Sequence, residues 1–306
     1  MMLSGTNMDS IKINNRIISL SNLDKIWFPK SKITKGEIIA YYAQMASYQL
    51  PLIKNHLLTL QRYPDGIKGE AFYQKNASDY FPSWIKTKPV TKSEGGVVEY
   101  VVATNEQTLV YLVNQATLTL HYWLSKYIKL HYPDRIIFDL DPSVNNFTRI
   151  KAAAKLIKKI CDELDLPCYA MTTGSRGIHI YIPLKPGHTF EDVDIVASYI
   201  ARKMIEERPK EFTLEMRKNK RGTKIFIDTL RNRYNATAVV PYSVRAYEKA
   251  PVAMPIWWKE IDSKLTAQTF TIKNAYEHLK KVGNPWKSMN TKAVSIKRLI
   301  KKIGDS

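Results

Sequence analysis

Ile136-Ile137-Phe138-Asp139-Leu140-Asp141-Pro142 decides the fold. It reads as a short buried strand that delivers two carboxylates at its end and is stopped by a proline, which cannot donate to a strand ladder. Around it the pattern is regular. Residues 148–164 place Ile150, Ala153, Ala154, Ile157, Ile160 and Leu164 at helical spacing. Residues 168–172 read as a strand, Gly174 to Gly177 as a turn, 178–182 as a strand, 190–207 as a helix and 224–228 as a fourth strand. This β-α-β-β-α-β order is the split βαβ, or ferredoxin-like, arrangement. The fold class is therefore α+β.

Side chains alternate faces along a strand, so Asp139 and Asp141 point one way while Phe138 and Leu140 point into the core. Adjacent like charges are costly unless a cation neutralises them. Asp228 ends the fourth strand. Three carboxylates at one rim suit hard divalent cations with oxygen ligands, and two such ions can clamp the attacking and leaving oxygens of a phosphoryl transfer. Without that use, Asp-x-Asp followed by proline is a solvated strand end. Between strands two and three, Thr172-Thr173-Gly174-Ser175-Arg176-Gly177-Ile178-His179 offers two glycines, a hydroxyl, a guanidinium, an imidazole and backbone amides for a phosphate nest. The same residues could also make a plain hairpin.

Upstream, Thr34-Lys35-Gly36-Glu37 reads as a capping box. Ile38, Tyr41, Tyr42, Met45 and Tyr48 follow at helical spacing. The spacing of Val110, Val113, Thr117, Leu120 and Leu124 predicts a second long helix from near Thr104, ending before Pro133. A turn-rich aromatic stretch lies between the two. Residues 278–304 carry eight Lys or Arg and no acid, with Ile296, Leu299, Ile300 and Ile303 on one helical face. A basic C-terminal capping helix is expected, with added affinity for a DNA backbone as a further possibility.

The chain has 306 residues, with 47 Lys and Arg against 28 Asp and Glu, a net charge of +19. That balance favours polyanionic partners. Its two cysteines, Cys161 and Cys168, have no metal-binding spacing and build no disulfide framework, which fits a reducing cytoplasm. The polar first 16 residues do not resemble a signal peptide. The absence of a run of 18 apolar residues argues against a membrane span.

Several segments in order resemble the polymerase domain of bacterial ligase D, in the archaeo-eukaryotic primase superfamily. They are Ser21-Asn22-Leu23-Asp24-Lys25-Ile26-Trp27-Phe28-Pro29, Leu58-Thr59-Leu60-Gln61-Arg62-Tyr63-Pro64-Asp65-Gly66, Phe72-Tyr73-Gln74-Lys75-Asn76, Asp139-Leu140-Asp141-Pro142 and Thr173 through His179. Asp228 through Arg231-Asn232 to Pro241-Tyr242-Ser243-Val244-Arg245, Phe270-Thr271-Ile272 and Asn284-Pro285-Trp286 continue the match. The resemblance covers residues 16 to 288. It implies a primase-like fold of two intimate subdomains, divided as an extension at 1–16, an N-terminal subdomain at 17–134, a catalytic subdomain at 135–288 and a basic helix at 289–306.

The resemblance further implies Asp139, Asp141 and Asp228 as ligands of two Mn²⁺ or Mg²⁺ ions. Arg62, His121, Thr173, Ser175, Arg176, His179 and Arg245 would serve an incoming NTP or dNTP, with ribonucleotides preferred. Lys25 and Lys35 would hold the 5′-phosphate of a gapped or broken duplex, and Phe72 and Tyr73 would stack near the templating base. Gln61 stands where the family often has Lys, and Tyr73 where Phe is common. No ligase segment is recognisable, so end joining would draw on Ku and a separate ligase, in the cytoplasm at the nucleoid. Three other readings compete: a primase starting chains de novo, a three-carboxylate nuclease, and a non-catalytic RNA-binding module on the same kind of sheet.

Overall fold

The computed structural model describes residues 10–92, 94–141 and 146–305, without the side chains of Asp141 and Lys218. Met1 to Asp9 and Pro142 lie outside the described residues.

The chain opens with a hairpin, β1 (Ser10–Ile13) against β2 (Arg16–Ser19), followed by a small pair, β3 (Ile26–Phe28) against β4 (Ile33–Thr34). Helix α1 (Lys35–Ile53) starts at the expected capping box: the Glu37 N–H donates to Thr34 Oγ1, and the Thr34 N–H donates to Glu37. Its buried stripe includes Ile38, Tyr41, Tyr42 and Met45. β5 (His56–Arg62) and β6 (Phe72–Gln74) follow, and then the hairpin β7 (Thr87–Thr91) with β8 (Val97–Val101). The stretch that reads as turns from sequence therefore contains four strands.

The long second helix is not formed. Helix α2 covers only Glu106–Asn114, capped by Asn105, and residues Thr117–Lys126 are strand β9. The turn is made by Gln115 and by Ala116, whose φ of 66° breaks the helix. Beyond it, Leu118, Leu120, Tyr122 and Leu124 alternate into the main core, and Trp123 enters a satellite cluster with Leu57, Val90 and Tyr100. Leu120 and Leu124 satisfy both a four-residue and a two-residue period. Thr, Tyr and Trp between them favour the pleated, doubly covered surface.

β10 (Arg135–Asp141), α3 (Phe147–Glu163), β11 (Tyr169–Thr172), β12 (Ile178–Pro183) and α4 (Phe190–Glu207) then follow within a residue or two of their expected bounds. After β13 (Phe212–Thr213) comes β14 (Ile225–Asp228). The sheet order is β13-β14-β10-β12-β11, with β16 (Met254–Ile256) on the far edge once β15 (Thr237–Val239) has been passed. The first strand of the split βαβ thus lies between the third and fourth, the order that brings the three sequence-distant motifs together.

β15 leaves this sheet and pairs with β9, giving a second sheet of order β15-β9-β5-β6. α1 ties the two together. Tyr41 donates to the Tyr242 carbonyl at 2.8 Å, Gln49 to Pro241 O at 2.8 Å, and the Val244 N–H to Tyr42 Oη at 2.9 Å. α5 (Ala275–Val282) and α6 (Lys297–Gly304) end the chain. α6 turns Leu299, Ile300 and Ile303 onto the core and keeps Lys297, Arg298, Lys301 and Lys302 exposed, as its periodicity requires. Among the described residues, no helix is long and apolar enough to cross a membrane.

Candidate active site

The site is built where three strands run side by side. Asp139 on β10 is paired in register with Asp228 on β14 on one side and with His179 on β12 on the other. Phe138 and Leu140, one residue either way, are fully buried. The chain after β14 makes a single 3₁₀ turn. Within it the Asn232 side chain accepts from the Ile137 N–H and donates to the Ile137 carbonyl, both at 2.7 Å, continuing the ladder that β14 has left. That turn aims Arg231 back at Asp139 Oδ2, at 3.4 Å. His179 Nε2 lies 3.3 Å from Asp139 Oδ1. Burial alone would raise the Asp139 pKa, but the His179 ring and the Arg231 guanidinium outweigh it and hold the carboxyl well below the usual range. Asp228 is shifted the other way, by burial first and by the charge of Asp139, against a hydrogen bond from the Leu230 N–H. The Asp141 backbone faces Phe226 across the ladder, and its side chain lies outside the described residues.

Beside the carboxylates opens a cavity of about 380 Å³, whose walls include His121, Thr173, Ser175, Arg176, His179 and Arg245. His121 sits on β9, and burial, followed by the Arg245 and Arg231 charges, pushes its pKa down to about 3, so it is a neutral imidazole at physiological pH. Its Nδ1 is buried without a hydrogen-bond partner. Gly174 is required: its φ is +64°, and a Cβ there would stand 2.7 Å from the Val252 backbone.

Two of the amides that the sequence offered to an anion are used within the loop. The N–H groups of Ser175 and Gly177 turn inward and donate to Thr173 Oγ1 at 3.3 and 3.1 Å. Arg245 donates to the Thr173 carbonyl at 3.0 Å. Thr173 thus organises the loop.

Of the other candidates, Arg62 is outside the cavity wall. It donates to Gln74 Oε1 at 2.7 Å and to Tyr80 Oη at 3.0 Å, with its guanidinium 5.5 Å from the Phe72 ring centroid. Phe72 and Tyr73 are 45% and 60% exposed on β6, unusual for large apolar rings. Tyr73 lies 5.6 Å from the His121 ring, linking this platform to the cavity. Lys25 and Lys35 are neighbours across the β3–β4 pair, joined by the Lys35 N–H to the Lys25 carbonyl at 2.8 Å. Lys25 pairs with Asp65 at 2.7 Å. Lys35 is buried, donates to the Ser21 carbonyl, and is lowered to about 8 by burial and by Lys25.

Sequence reasoning assigned no role to Arg231, Arg221 or Tyr247. Arg231 had a signal, three residues past a strand-ending aspartate. Arg221, also on the wall, is held by the Glu215 and Met216 carbonyls and lies 3.8 Å over Phe226, which no spacing announced.

Among the described residues no group of three or more His, Cys, Asp or Glu could hold a metal ion. The donors nevertheless fit a divalent cation in kind. Asp139 and Asp228 are hard oxygen donors facing each other in register, and a carboxylate can accept more than the contacts Asp139 already makes.

Facing carboxylates beside an arginine-lined cavity, on one face of a ferredoxin-like sheet, are the arrangement of a nucleotidyltransferase. The family model of the LigD primase-polymerase domain matches residues 34–286. The chain is 35% identical over 271 residues to the bifunctional non-homologous end joining protein LigD of Bacillus subtilis, covering 88% of this chain and 43% of that protein. It is 31% identical over 247 residues to the multifunctional LigD of Mycolicibacterium smegmatis, covering 80% of this chain and 32% of that one. The chain therefore spans less than half the length of these relatives. The solved polymerase domain of Mycobacterium tuberculosis ligase D, in complex with DNA, superposes with a TM-score of 0.84 at 25% identity, over 90% of this chain and 99% of that one. The chain belongs to the LigD primase-polymerase domain family and is a nucleotidyltransferase of the DNA-directed polymerase class.

Proposed function

We propose that this protein fills gaps and extends DNA ends during non-homologous end joining, adding nucleotides opposite a template and preferring ribonucleotides. The observation that carries the chemistry is Asp139 facing Asp228 in register beside the arginine-lined cavity. Asp139, Asp228 and Asp141 would hold Mn²⁺ or Mg²⁺. When bound, such ions neutralise triphosphate charge and make a primer 3′-hydroxyl easier to deprotonate. Arg231 and His179 hold Asp139 ionised and oriented. Ser175, Arg176, His179 and Arg245 bind the triphosphate of the NTP or dNTP, Thr173 shapes their loop, and neutral His121 lines the nucleotide pocket. Phe72 and Tyr73 stack on bases, as exposed aromatics can for any base. Arg62 supports that platform.

Extension of a labelled gapped duplex with each nucleotide set, with and without Mn²⁺, tests this reading. No extension under any condition would refute it, and equal use of both sugars would refute the ribonucleotide preference. The partners proposed are double-stranded ends and gaps, Ku and a DNA ligase activity, in the cytoplasm at the nucleoid.

His179→Ala should raise the nucleotide KM by roughly 10–100-fold, the range for losing a hydrogen bond to a charged group, with DNA affinity little changed. A fluorescent nucleotide that binds this variant as tightly as wild type would show that the cradle lies elsewhere.

Lys25 and Lys35 separate end repair from de novo priming. A terminal 5′-phosphate carries more charge than an internal phosphodiester, and two adjacent amines can read the difference. Binding it means displacing Asp65 from Lys25 and turning Lys35 from Ser21. Duplexes with a downstream 5′-phosphate should bind more tightly than those without by ~1–3 kcal/mol. Lys25→Ala/Lys35→Ala should abolish that difference. Wild type that ignores the phosphate and starts chains on unprimed single strands would be a primase instead.

A further inference from the structure

The turn between β15 and β16 does more than carry Arg245. Val244 bridges to Val252, and the Arg245 N–H donates to the Pro251 carbonyl at 2.8 Å. The turn is closed by two successive non-glycine residues in the left-handed region, Lys249 at φ 72° and Ala250 at φ 48°. Such residues are unfavourable unless their surroundings hold them. The result is that Arg245 and Tyr247 project together onto the loop that follows β11. Arg245 grips the Thr173 carbonyl, and Tyr247 Oη lies 2.7 Å from Ser175 Oγ. From a third direction, Gln268 Nε2 donates to the Ser175 carbonyl at 3.1 Å. Ser175 is thus held at both its hydroxyl and its carbonyl by segments distant in sequence.

We infer that Tyr247 is a positioning residue for anion recognition, its phenol donating to Ser175 Oγ so that the serine's single proton is presented to a phosphate oxygen of the nucleotide. This rests on the reading of Ser175 as a nucleotide contact. Ser175 has one proton, and if it went to Tyr247 none would remain for the anion. A phenol is the more acidic hydroxyl of the two, and a chain Tyr247 O–H to Ser175 O–H to anion polarises each link in the same direction. The inward-turned amides of Ser175 and Gly177 make this relay matter, because those two N–H groups are already committed to Thr173.

The test is steady-state kinetics on a gapped duplex with the nucleotide titrated, for wild type, Ser175→Ala, Tyr247→Phe and the double variant. Tyr247→Phe keeps the ring and removes only the donor. Its nucleotide KM should rise about three- to tenfold, the scale of one hydrogen bond, with kcat within about twofold. The double variant should be no worse than Ser175→Ala alone, since both break one relay. Inorganic triphosphate, which has neither base nor sugar, should lose the same factor as a competitive inhibitor.

A wild-type KM in Tyr247→Phe, multiplicative effects in the double variant, or an unchanged inhibition constant for triphosphate would overturn the inference while leaving a Ser175→Ala defect intact. A Ser175→Ala variant with unaltered nucleotide KM would instead remove the reading beneath it. If Tyr247→Phe does not fold, Tyr247→Trp, whose indole keeps a donor, should bind nucleotide more tightly than Tyr247→Leu, and equal KM values would reject the relay.

Discussion

Asp139→Ala should reduce nucleotide addition by on the order of a thousandfold or more, because several kcal/mol of transition-state charge stabilisation are lost at about 1.4 kcal/mol per decade. The fold should survive. The side chain lies on the cavity-facing side of a central strand, and its removal deletes neither a core apolar group nor a ladder hydrogen bond. Asp139→Asn should be nearly as inactive, although it keeps the shape and can still hydrogen-bond His179. That comparison separates loss of charge from loss of volume. Single-turnover extension of a primed gap measures both variants, with melting temperature as the control for folding. Near wild-type chemistry in a folded Asp139→Ala protein would sink the carboxylate assignment, and with it the role given to Arg231 and His179 of keeping that carboxyl ionised.

The second large effect concerns stability rather than chemistry. Arg135 opens β10 and is fully buried. It donates to Asp134 Oδ1 at 2.6 Å, to Tyr122 Oη at 2.9 Å and to the Leu52 carbonyl at 3.2 Å, so it joins α1, β9 and the catalytic sheet at one point. His56 Nδ1 lies 2.7 Å from the Trp123 carbonyl, which can only accept, so that nitrogen carries the proton. Burial lowers the His56 pKa against the pull of the Asp134 carboxylate, whose Oδ2 lies 3.2 Å from Nε2, the nitrogen that also lies 3.2 Å from Arg135.

Arg135→Ala leaves the Asp134 carboxylate without its main partner. The expected loss is about 3 kcal/mol, the lower end of the range for breaking a buried pair, because the half-exposed Lys126 still stands 3.4 Å away. Urea unfolding measures it, and a loss under about 1 kcal/mol would contradict the assignment. Asp134→Leu/Arg135→Met should recover much of the deficit.

Acid should expose the same pair. Burial alone would raise the Asp134 pKa, but Arg135 and then His56 outweigh it and hold the carboxyl well below its ordinary value. A depressed folded value gives stability that is complete above the unfolded pKa near 4, and that stability is lost as pH falls towards the folded value. Wild type should therefore lose stability below about pH 4 more steeply than Arg135→Ala.

Local chemistry alone determined a good part of this protein. The split βαβ from Ile136 to Asp228 was legible because each element carries one clean period and ends at a turn former, and the capping box at Thr34 is a reciprocal bond between residues three apart. Asp139 and Asp228 were legible as a pair once the sheet order was supplied. The ligase D resemblance pointed to the same residues and is borne out at the level of the family.

Tertiary structure decided the rest. Thr117–Lys126 could satisfy a helix or a strand by spacing, and became a strand because Ala116 turns the chain and the two faces bury into different clusters, Leu118, Leu120, Tyr122 and Leu124 into the main core and Trp123 into the satellite one. The loop after β11 could nest an anion on its amides, but Thr173 Oγ1 lies close enough to claim those of Ser175 and Gly177. Arg231 and Tyr247 reach the site through contacts with Asp139 and Ser175, 92 and 72 positions away, and no local pattern encodes such a contact. Short-range spacing reports hydrogen bonds and periodicities within one element. Which side chain faces which across elements depends on how the sheets pack, and that is set by the whole core at once.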